Sequence, residues 1–153
     1  MKTVIKVKSR IIQTVSVLVD ETLSVEEMVV MGKFTCSNSL ITSDRFPKLE
    51  GPKKVIKKIA LYGFNRKVSS EVAISEMKKR GYVPIRIWEL LSLAAKDPNL
   101  QRNYLIPALG SVCEIEGVPH IAFIYGFSLS RQLRLYKADN EWGDICRIAA
   151  MRE

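Results

Sequence analysis

The spacing of apolar and polar residues predicts several short elements in the first third of the chain. Thr3–Lys8 alternates with the period of two that is typical of a half-buried strand, and Ile11–Val19 is a second β-branched run. Ser9-Arg10 lies between them, so we expect a turn and a short hairpin. Ser24 and Glu27 have the spacing of a capping box and precede an apolar run that Gly32 closes, which predicts a helix of about two turns.

The segment Pro47–Lys58 is rich in Pro, Gly and Lys and predicts a basic connector. We therefore expect residues 1–57 to form a β-rich N-terminal segment with this connector, and residues 58–153 to form the main domain. Whether the first segment packs onto the main domain or mediates assembly stays open.

The main domain begins with a short strand, Ile59–Tyr62, followed by two helices. Ser69 or Ser70 caps the first helix, whose apolar stripe is Val72, Ala73 and Met77, and Gly81 ends it. After extended Tyr82–Pro84, a second helix runs over Ile87–Ala95, and Asp97-Pro98 ends it. Arg86 precedes this helix and is a poor N-cap.

After Pro98 the period changes from 3.6 to two, which indicates strands. Ile106–Ile115 and Val118–Tyr125 are expected to pair across a tight turn at Glu116-Gly117. Gln132–Tyr136 and Cys146–Met151 are two further strands. This order predicts an α+β fold with two helices beside an antiparallel sheet, because parallel βαβ units would alternate throughout.

Charge and cysteine content limit the classes of function. The net charge of +8 is concentrated in residues 1–67, which hold 13 Lys or Arg against 6 Asp or Glu. The run Lys53, Lys54, Lys57 and Lys58 is either a solvated surface or a nucleic-acid contact, although no aromatic residue is interleaved for stacking. The three cysteines are widely separated and form no C-x-x-C pair, which indicates reduced thiols. No signal-peptide pattern or apolar run of spanning length occurs, so we expect synthesis in the cytoplasm and no membrane span.

No catalytic or cofactor motif is present, so we expect no enzyme activity and no cofactor. His120 is the only histidine, and the sequence offers it no companion at a recognisable spacing. Asp139, Glu141 and Asp144 resemble calcium ligands only in number, because their spacing is not that of a calcium loop. We therefore expect no metal site.

The stretch from Phe123 to Cys146 is the strongest candidate for a binding surface. Aromatic and arginine side chains are frequent in it, and these residue types are enriched where proteins bind partners. The alternative is that half of them fill the core. Alternation places Leu133 and Leu135 on one side of a strand and Arg134 and Tyr136 on the other.

Several short motifs together resemble the variable proteins of diversity-generating retroelements, which have a C-type lectin-like fold and occur in bacteria, phages, archaea and archaeal viruses. The resemblance covers about residues 59–153. It is carried by Val68–Glu71, Lys79–Tyr82 with Pro84, Trp88–Leu91, Gln101-Arg102, Ala108–Val112 and Arg147–Arg152. The family commonly has Thr at the position of Arg86 and a different closing motif.

In that family, a reverse transcriptase mutates template adenines, and the resulting codon changes alter residues near the C-terminus. The resemblance implies that the residues reachable in this way contact a ligand, whereas Leu133, Leu135, Trp142 and the last strand form the scaffold. Those we select as the ligand-binding surface are Tyr125, Phe127, Leu129, Arg134, Tyr136, Asp139, Asn140, Asp144, Ile145 and Cys146.

The resemblance thus predicts a non-catalytic protein that binds another macromolecule, by protein–protein interaction, through a hypervariable surface. It also admits oligomers and display on a cell surface or virion. The alternative is a small basic nucleic-acid-binding protein that uses the N-terminal lysines, for which binding to a duplex should depend steeply on salt.

Overall fold

The structure is a computed structural model that describes residues 6–100, 102, 104–127 and 129–152. It is a mixed α+β fold. The helices are α1 (Val25–Met31), α2 (Ser70–Lys78) and α3 (Ile87–Lys96). The strands are β1 (Ser9–Asp20), β2 (Cys36–Ser37), β3 (Lys54–Phe64), β4 (Val68–Ser69), β5 (Tyr82–Pro84), β6 (Leu105–Pro107), β7 (Cys113–Ile115), β8 (Val118–Phe127), β9 (Ser130–Lys137), β10 (Glu141–Trp142) and β11 (Ile148–Arg152).

Most strand pairs are antiparallel, and the strands form three sheets. The first has the order β1-β3-β11-β5, and the second has β2-β9-β8-β6 with β7 also paired to β8. β4 and β10 form a two-stranded ladder that the sequence did not predict. The last strand, β11, lies between β3 and β5, as expected for the apolar run that ends the chain.

The long ribbon of β1 and β3 corrects the expectations for the N-terminal third. The turn expected at Ser9-Arg10 is wrong, because both residues belong to β1, which pairs with β3 over its whole length. The expected strand Thr3–Lys8 falls partly outside the described residues, and residues 6–8 belong to no strand. The expected connector is also wrong over its last five residues, since β3 begins at Lys54. The boundary drawn between residues 57 and 58 therefore lies inside a strand.

A buried ion network fixes the end of this ribbon to α3. Glu89 is fully buried, and its carboxylate lies 2.9 Å from the Arg86 guanidinium and 3.3 Å from Lys57 Nζ. The same two cations lie 2.8 and 3.3 Å from Glu21. Burial opposes ionisation of Glu21, but hydrogen bonds from Arg86 and Lys57 hold its pKa below the ordinary value. The N-terminal segment is thus tied to the main domain by paired charges.

The ends of the first two helices match the sequence prediction. Ser24 Oγ accepts from the Glu27 amide and the Glu27 carboxylate accepts from the Ser24 amide, which is the predicted capping box, with Gly32 at the C-cap. Ser69 Oγ caps α2, and Gly81 follows that helix with φ +82°. The expected stripe of α2 is wrong in one position: Ala73 and Met77 are buried, but Val72 is 39% exposed.

The beginning of α3 shows how the poor cap at Arg86 is compensated. The Arg86 side chain caps nothing, but the Ser111 hydroxyl, from a distant turn, accepts from the Ile87 amide at 2.9 Å. Glu89 accepts from the Arg86 amide at 3.0 Å. Both interactions satisfy donors that the helix leaves free.

The single strand expected over Ile106–Ile115 is wrong, because a turn separates β6 from β7. Gly110 lies in this turn and donates its amide to the Ile85 carbonyl at 2.8 Å. A Cβ at this position would lie 2.6 Å from the Pro84 carbonyl oxygen. Only glycine allows this approach, so the chain leaves the sheet here and returns at Cys113.

Two apolar clusters occupy the interior. The larger lies among α1, α3 and the inward sides of the first two sheets, with Leu61, Leu90 and Leu133 among its fully buried members. The smaller is built around Tyr62, Met77 and Trp142 and includes Ile121 and Phe123 of β8. Among the described residues, no helix has both the length and the apolar character needed to cross a bilayer.

Candidate functional site

The two sides of the β8–β9 hairpin have different roles. Leu133 is fully buried in the larger cluster and Leu135 packs against it, whereas Arg134 and Tyr136 point to the other side and are exposed. The predicted alternation is therefore confirmed. We call the second side the hairpin face and define it as Tyr125, Phe127, Gln132, Arg134 and Tyr136.

The register of the hairpin brings these side chains into contiguous rows. Tyr136 lies opposite Ile121, Arg134 opposite Phe123, and Gln132 opposite Tyr125. Directly opposed residues of an antiparallel pair lie on the same face. Tyr125 and Arg134 therefore come from different strands but belong to one surface.

Aromatic stacking supports one end of the hairpin face. The Tyr136 ring stacks on Phe123, with centroids 5.1 Å apart, and meets Trp142 edge-on at 6.3 Å. Phe123 and Trp142 are buried, while Tyr136 is 46% exposed. Trp142 is held in turn by a hydrogen bond from its indole to Ser70 Oγ at 2.9 Å. These two buried rings hold the Tyr136 ring in place.

Gln132 also lies on the hairpin face and is half-buried, although it is not among the predicted ligand-binding residues. Its carboxamide oxygen accepts from Arg134 Nε, and its nitrogen donates to Ser130 Oγ at 3.2 Å. It therefore orients the guanidinium beside it. The alternation that placed Arg134 on this face also predicts Gln132 there, so the signal was present in the sequence.

The tip of the hairpin exposes two large apolar side chains. Phe127 is 66% exposed and Leu129 is 87% exposed. Arg131 follows them, but it belongs to the scaffold despite lying in the candidate stretch. Its guanidinium donates to the carbonyls of Gly32 and Ala94, near the C-terminal ends of α1 and α3, and it lies over the Phe34 ring. A cation is favourable where carbonyls end a helix, so Arg131 fixes the hairpin tip to two helices.

The segment after β9 carries the other five predicted residues, and its backbone is held by hydrogen bonds to the rest of the domain. The Ala138 carbonyl accepts from Ser70 Oγ, and the Ala138 amide donates to the Pro119 carbonyl. Further on, the Leu105 amide donates to the Ile145 carbonyl at 2.9 Å, and the Arg147 amide donates to the Leu105 carbonyl. These contacts use main-chain atoms of residues 138–147, so side chains can differ without loss of the fixed points.

Nine of the ten predicted ligand-binding residues have side chains that solvent reaches. Tyr125 and Asn140 are half-buried, and the exposed ones are Phe127, Leu129, Arg134, Tyr136, Asp139, Asp144 and Ile145. The segment after β9 approaches the hairpin face twice, at Trp142 beside Tyr136 and at Ile145 beside Leu105, the neighbour of Tyr125. We call these nine residues together with Gln132 the candidate surface.

Cys146 is the exception, and its placement in the ligand-binding set is wrong. The side chain is 8% exposed and belongs to the smaller apolar cluster. The main chain at Cys146 forms an isolated parallel β-bridge with Leu105, and the Cys146 side chain lies away from solvent. Burial raises the pKa of its thiol. It acts as a small apolar residue that anchors the loop.

The acidic residues once compared with calcium ligands do not form a site. Within the described part of the chain, no three His, Cys, Asp or Glu side chains come together to hold a metal ion. Asp139 and Glu141 instead line an open depression at the end of the hairpin, with Tyr136 and Asn140. His120 lies opposite Lys137, and its Nδ1 is 2.8 Å from the Val118 carbonyl oxygen.

Comparisons of the chain with protein-family models, with curated proteins and with solved structures found no match. The function must therefore be argued from the residues and their geometry.

Proposed function

We propose that this protein binds a macromolecular ligand, most simply another protein, through the candidate surface and performs no catalysis. The observation that carries the proposal is the two-sided hairpin. Its inward side packs into the larger cluster, and its outward side, beyond the buried Ile121 and Phe123, presents the exposed side chains of Phe127, Arg134 and Tyr136 and the half-buried Tyr125.

The size of the surface supports a large ligand. The eight residues of β9 extend over roughly 26 Å at about 3.3 Å per residue. Standard protein interfaces bury about 800 Å² on each partner. A patch of that area is about as wide as β9 is long. The depression at one end is open, whereas small ligands prefer enclosed pockets that cover most of their surface.

The composition of the surface supports a protein partner in particular. Tyr125, Phe127 and Tyr136 supply rigid rings that lose little entropy on binding, and Arg134 supplies directional donors. Asp139 and Asp144 at the border add the opposite charge. This mixture of aromatic centre and polar border is typical of protein interfaces.

We further propose that the surface is diversified by a retroelement and that the domain is C-type lectin-like. The supporting features are the motifs quoted above, the exposure of nine predicted positions and the anchoring of residues 138–147 by main-chain contacts. Such a scaffold would accept many side chains at these positions, because exposed substitutions usually change stability by no more than about 0.5 kcal/mol.

The test is the DNA around the gene. The proposal requires a near-copy of the segment that encodes residues 125–145, with adenines at the variable codons, beside a reverse transcriptase gene. If both are missing, the retroelement part of the proposal is wrong. Binding itself is tested separately, by selecting ligands against the protein and against a variant with Tyr125, Arg134 and Tyr136 all changed to Ala.

The alternative function, nucleic-acid binding, depended on the run Lys53, Lys54, Lys57 and Lys58. Three of these lysines belong to β3, which directs them to different sides of the sheet. Lys57 turns inward to Glu21 and Glu89, and Lys54 lies 3.7 Å from Asp20. Since half of the run is engaged in ion pairs, we keep ligand binding through the candidate surface as the proposed function.

A further inference from the structure

The first sheet has an uncovered patch on its outer side, the side of β1 and β3 that faces away from the larger cluster. Val17, Val19 and Ile59 turn inward to the larger cluster. Between them, Leu18 and Ile56 lie directly opposite one another and turn outward, where they are 59% and 73% exposed. The helix α2 and Tyr62 cover the far end of this outer side, but not this end.

Positive charges border the apolar pair along the same side. Lys54 and Lys58 are the residues two before and two after Ile56, so they share its face. Met151 pairs with Ile59, and the antiparallel register places Arg152, the next residue, beside Lys58. Among the described residues of β1 and β3, the acidic neighbour on this side is Asp20, which lies opposite Lys54 and pairs with it at 3.7 Å, while the Lys54 side chain stays 66% exposed. The Arg152 guanidinium, however, lies over the Tyr82 ring and donates to the Arg80 carbonyl at 3.2 Å, so it is directed toward β5. We define the ribbon patch as Leu18, Ile56, Lys54 and Lys58.

We propose that the ribbon patch docks on the surface of an anionic lipid bilayer. The two aliphatic side chains enter the boundary between headgroups and acyl chains, and the cations face the lipid phosphates and carboxylates. Basic residues around exposed aliphatic ones are the arrangement by which proteins lie on such surfaces. Their charge is complementary to anionic lipid, whereas a second copy of this basic chain would present the same charge.

The composition of the patch favours lipid over a protein partner. Protein interfaces are enriched in aromatic residues and depleted in lysine. The apolar pair here is purely aliphatic and is bordered by two lysines, in contrast with the rings of the candidate surface. Lysine also extends its charged end from an apolar boundary toward headgroups while its stem stays buried.

The edge of the ribbon supports the same use of its face. The outward carbonyls of β1 at Ser9 and Ser16 accept hydrogen bonds from Arg80 and Lys96. Charged side chains at these points oppose the addition of another strand along the edge. A partner is therefore expected on the face of the ribbon.

The experiment measures cosedimentation with vesicles of phosphatidylcholine alone and with vesicles in which a quarter of the lipid is phosphatidylserine. We expect binding to the second kind only, and its loss at high salt. Leu18→Ser with Ile56→Ser should weaken binding at least about tenfold, because both aliphatic groups are removed. Lys54→Gln with Lys58→Gln should weaken it about 25-fold, at about fivefold per lysine.

Two matched controls separate the patch from general effects. Lys48→Gln with Lys67→Gln gives the same net charge at exposed sites elsewhere, and Val30→Ser with Val112→Ser removes exposed aliphatic groups elsewhere. Both should bind within about threefold of the unchanged protein. Circular dichroism checks that each variant is folded.

Three results would overturn the proposal. One is absence of binding to anionic vesicles. Another is equal weakening by the patch variants and their controls, which would indicate net charge alone. The third is a dimer in sedimentation that the Leu18 and Ile56 changes dissociate, which would assign the patch to a second copy of the chain.

Discussion

The inward and outward sides of the β8–β9 hairpin share one backbone and differ in almost everything else. Leu133 on the inward side is fully buried in the larger cluster, and its neighbour Arg134 on the outward side is exposed. The inward side fixes the hairpin to the core, and the tip is fixed by Arg131. The outward side is supported from below by buried rings and by main-chain contacts. The comparison teaches that alternate residues of β9 divide between the buried core and the exposed side of the hairpin.

The largest effect is expected from the inward side. Leu133→Ala should lower the free energy of unfolding by about 3 kcal/mol, because it removes buried methyl groups and leaves a cavity. Chemical denaturation measures this change. Arg134→Ala is the matched control on the next residue and should change it by no more than about 0.5 kcal/mol. Similar losses in the two variants would remove the distinction between the sides.

The next effect concerns the two arginines of the same strand. Arg131→Ala should lower the free energy of unfolding by about 2 kcal/mol, because the carbonyls of Gly32 and Ala94 lose a charged donor. Arg134→Ala again serves as the control, and ligand binding should be lost only in that second variant. If Arg131→Ala leaves the free energy of unfolding unchanged, then Arg131 does not fix the tip of the β8–β9 hairpin to α1 and α3.

A change at Cys146 tests where the apolar core ends and the candidate surface begins. Cys146→Ser should lower the free energy of unfolding by about 1 kcal/mol, because a hydroxyl replaces a thiol in an apolar cluster. Ile145→Ser, one residue earlier and 54% exposed, should have a smaller effect. The same denaturation measurement compares them, and a reversed order would return Cys146 to the variable set.

A pH dependence is expected at the ion network that joins the ribbon to α3. The pKa of Glu21 is held below its ordinary value of 4.5. Its contribution to stability is therefore complete above that value and is lost as the pH falls through the lower, folded-state pKa. Thermal unfolding between neutral and acidic pH should show this loss, and Glu21→Gln should show less of it. An equal acid dependence in both proteins would exclude Glu21 as its source.

Elements with local causes were predictable from the sequence. The capping box at Ser24 lies within four residues, and the turn at Glu116 and Gly117, with φ of 52° and 79°, is one that joins antiparallel strands tightly. The alternation of residues 132–136 was enough to separate core from surface. The nine predicted positions of the candidate surface were named from the resemblance alone; seven of them are exposed, and Tyr125 and Asn140 are half-buried.

Features with distant causes were not predictable in the same way. The pairing of β1 with β3 joins residues from 34 positions apart (Asp20 and Lys54) to 55 positions apart (Ser9 and Phe64), so the lysines of Pro47–Lys58 looked like a connector. Gly110 breaks a strand because of Pro84 and Ile85, and Arg131 is held by hydrogen bonds because two helices end beside it. Cys146 looked variable by its type, but its contact with Leu105 makes it part of the core.

The central claim is that the buried residues maintain the fold, whereas the residues of the candidate surface can be replaced without unfolding it. Its most direct test is a pooled library in which the nine predicted positions of the candidate surface are randomised, scored by resistance to proteolysis. A second library is randomised at five buried positions, Ile121, Ala122, Ile124, Leu133 and Trp142. The account predicts that most members of the first library remain folded and that few of the second do. Equal loss of folded protein in the two libraries would contradict it.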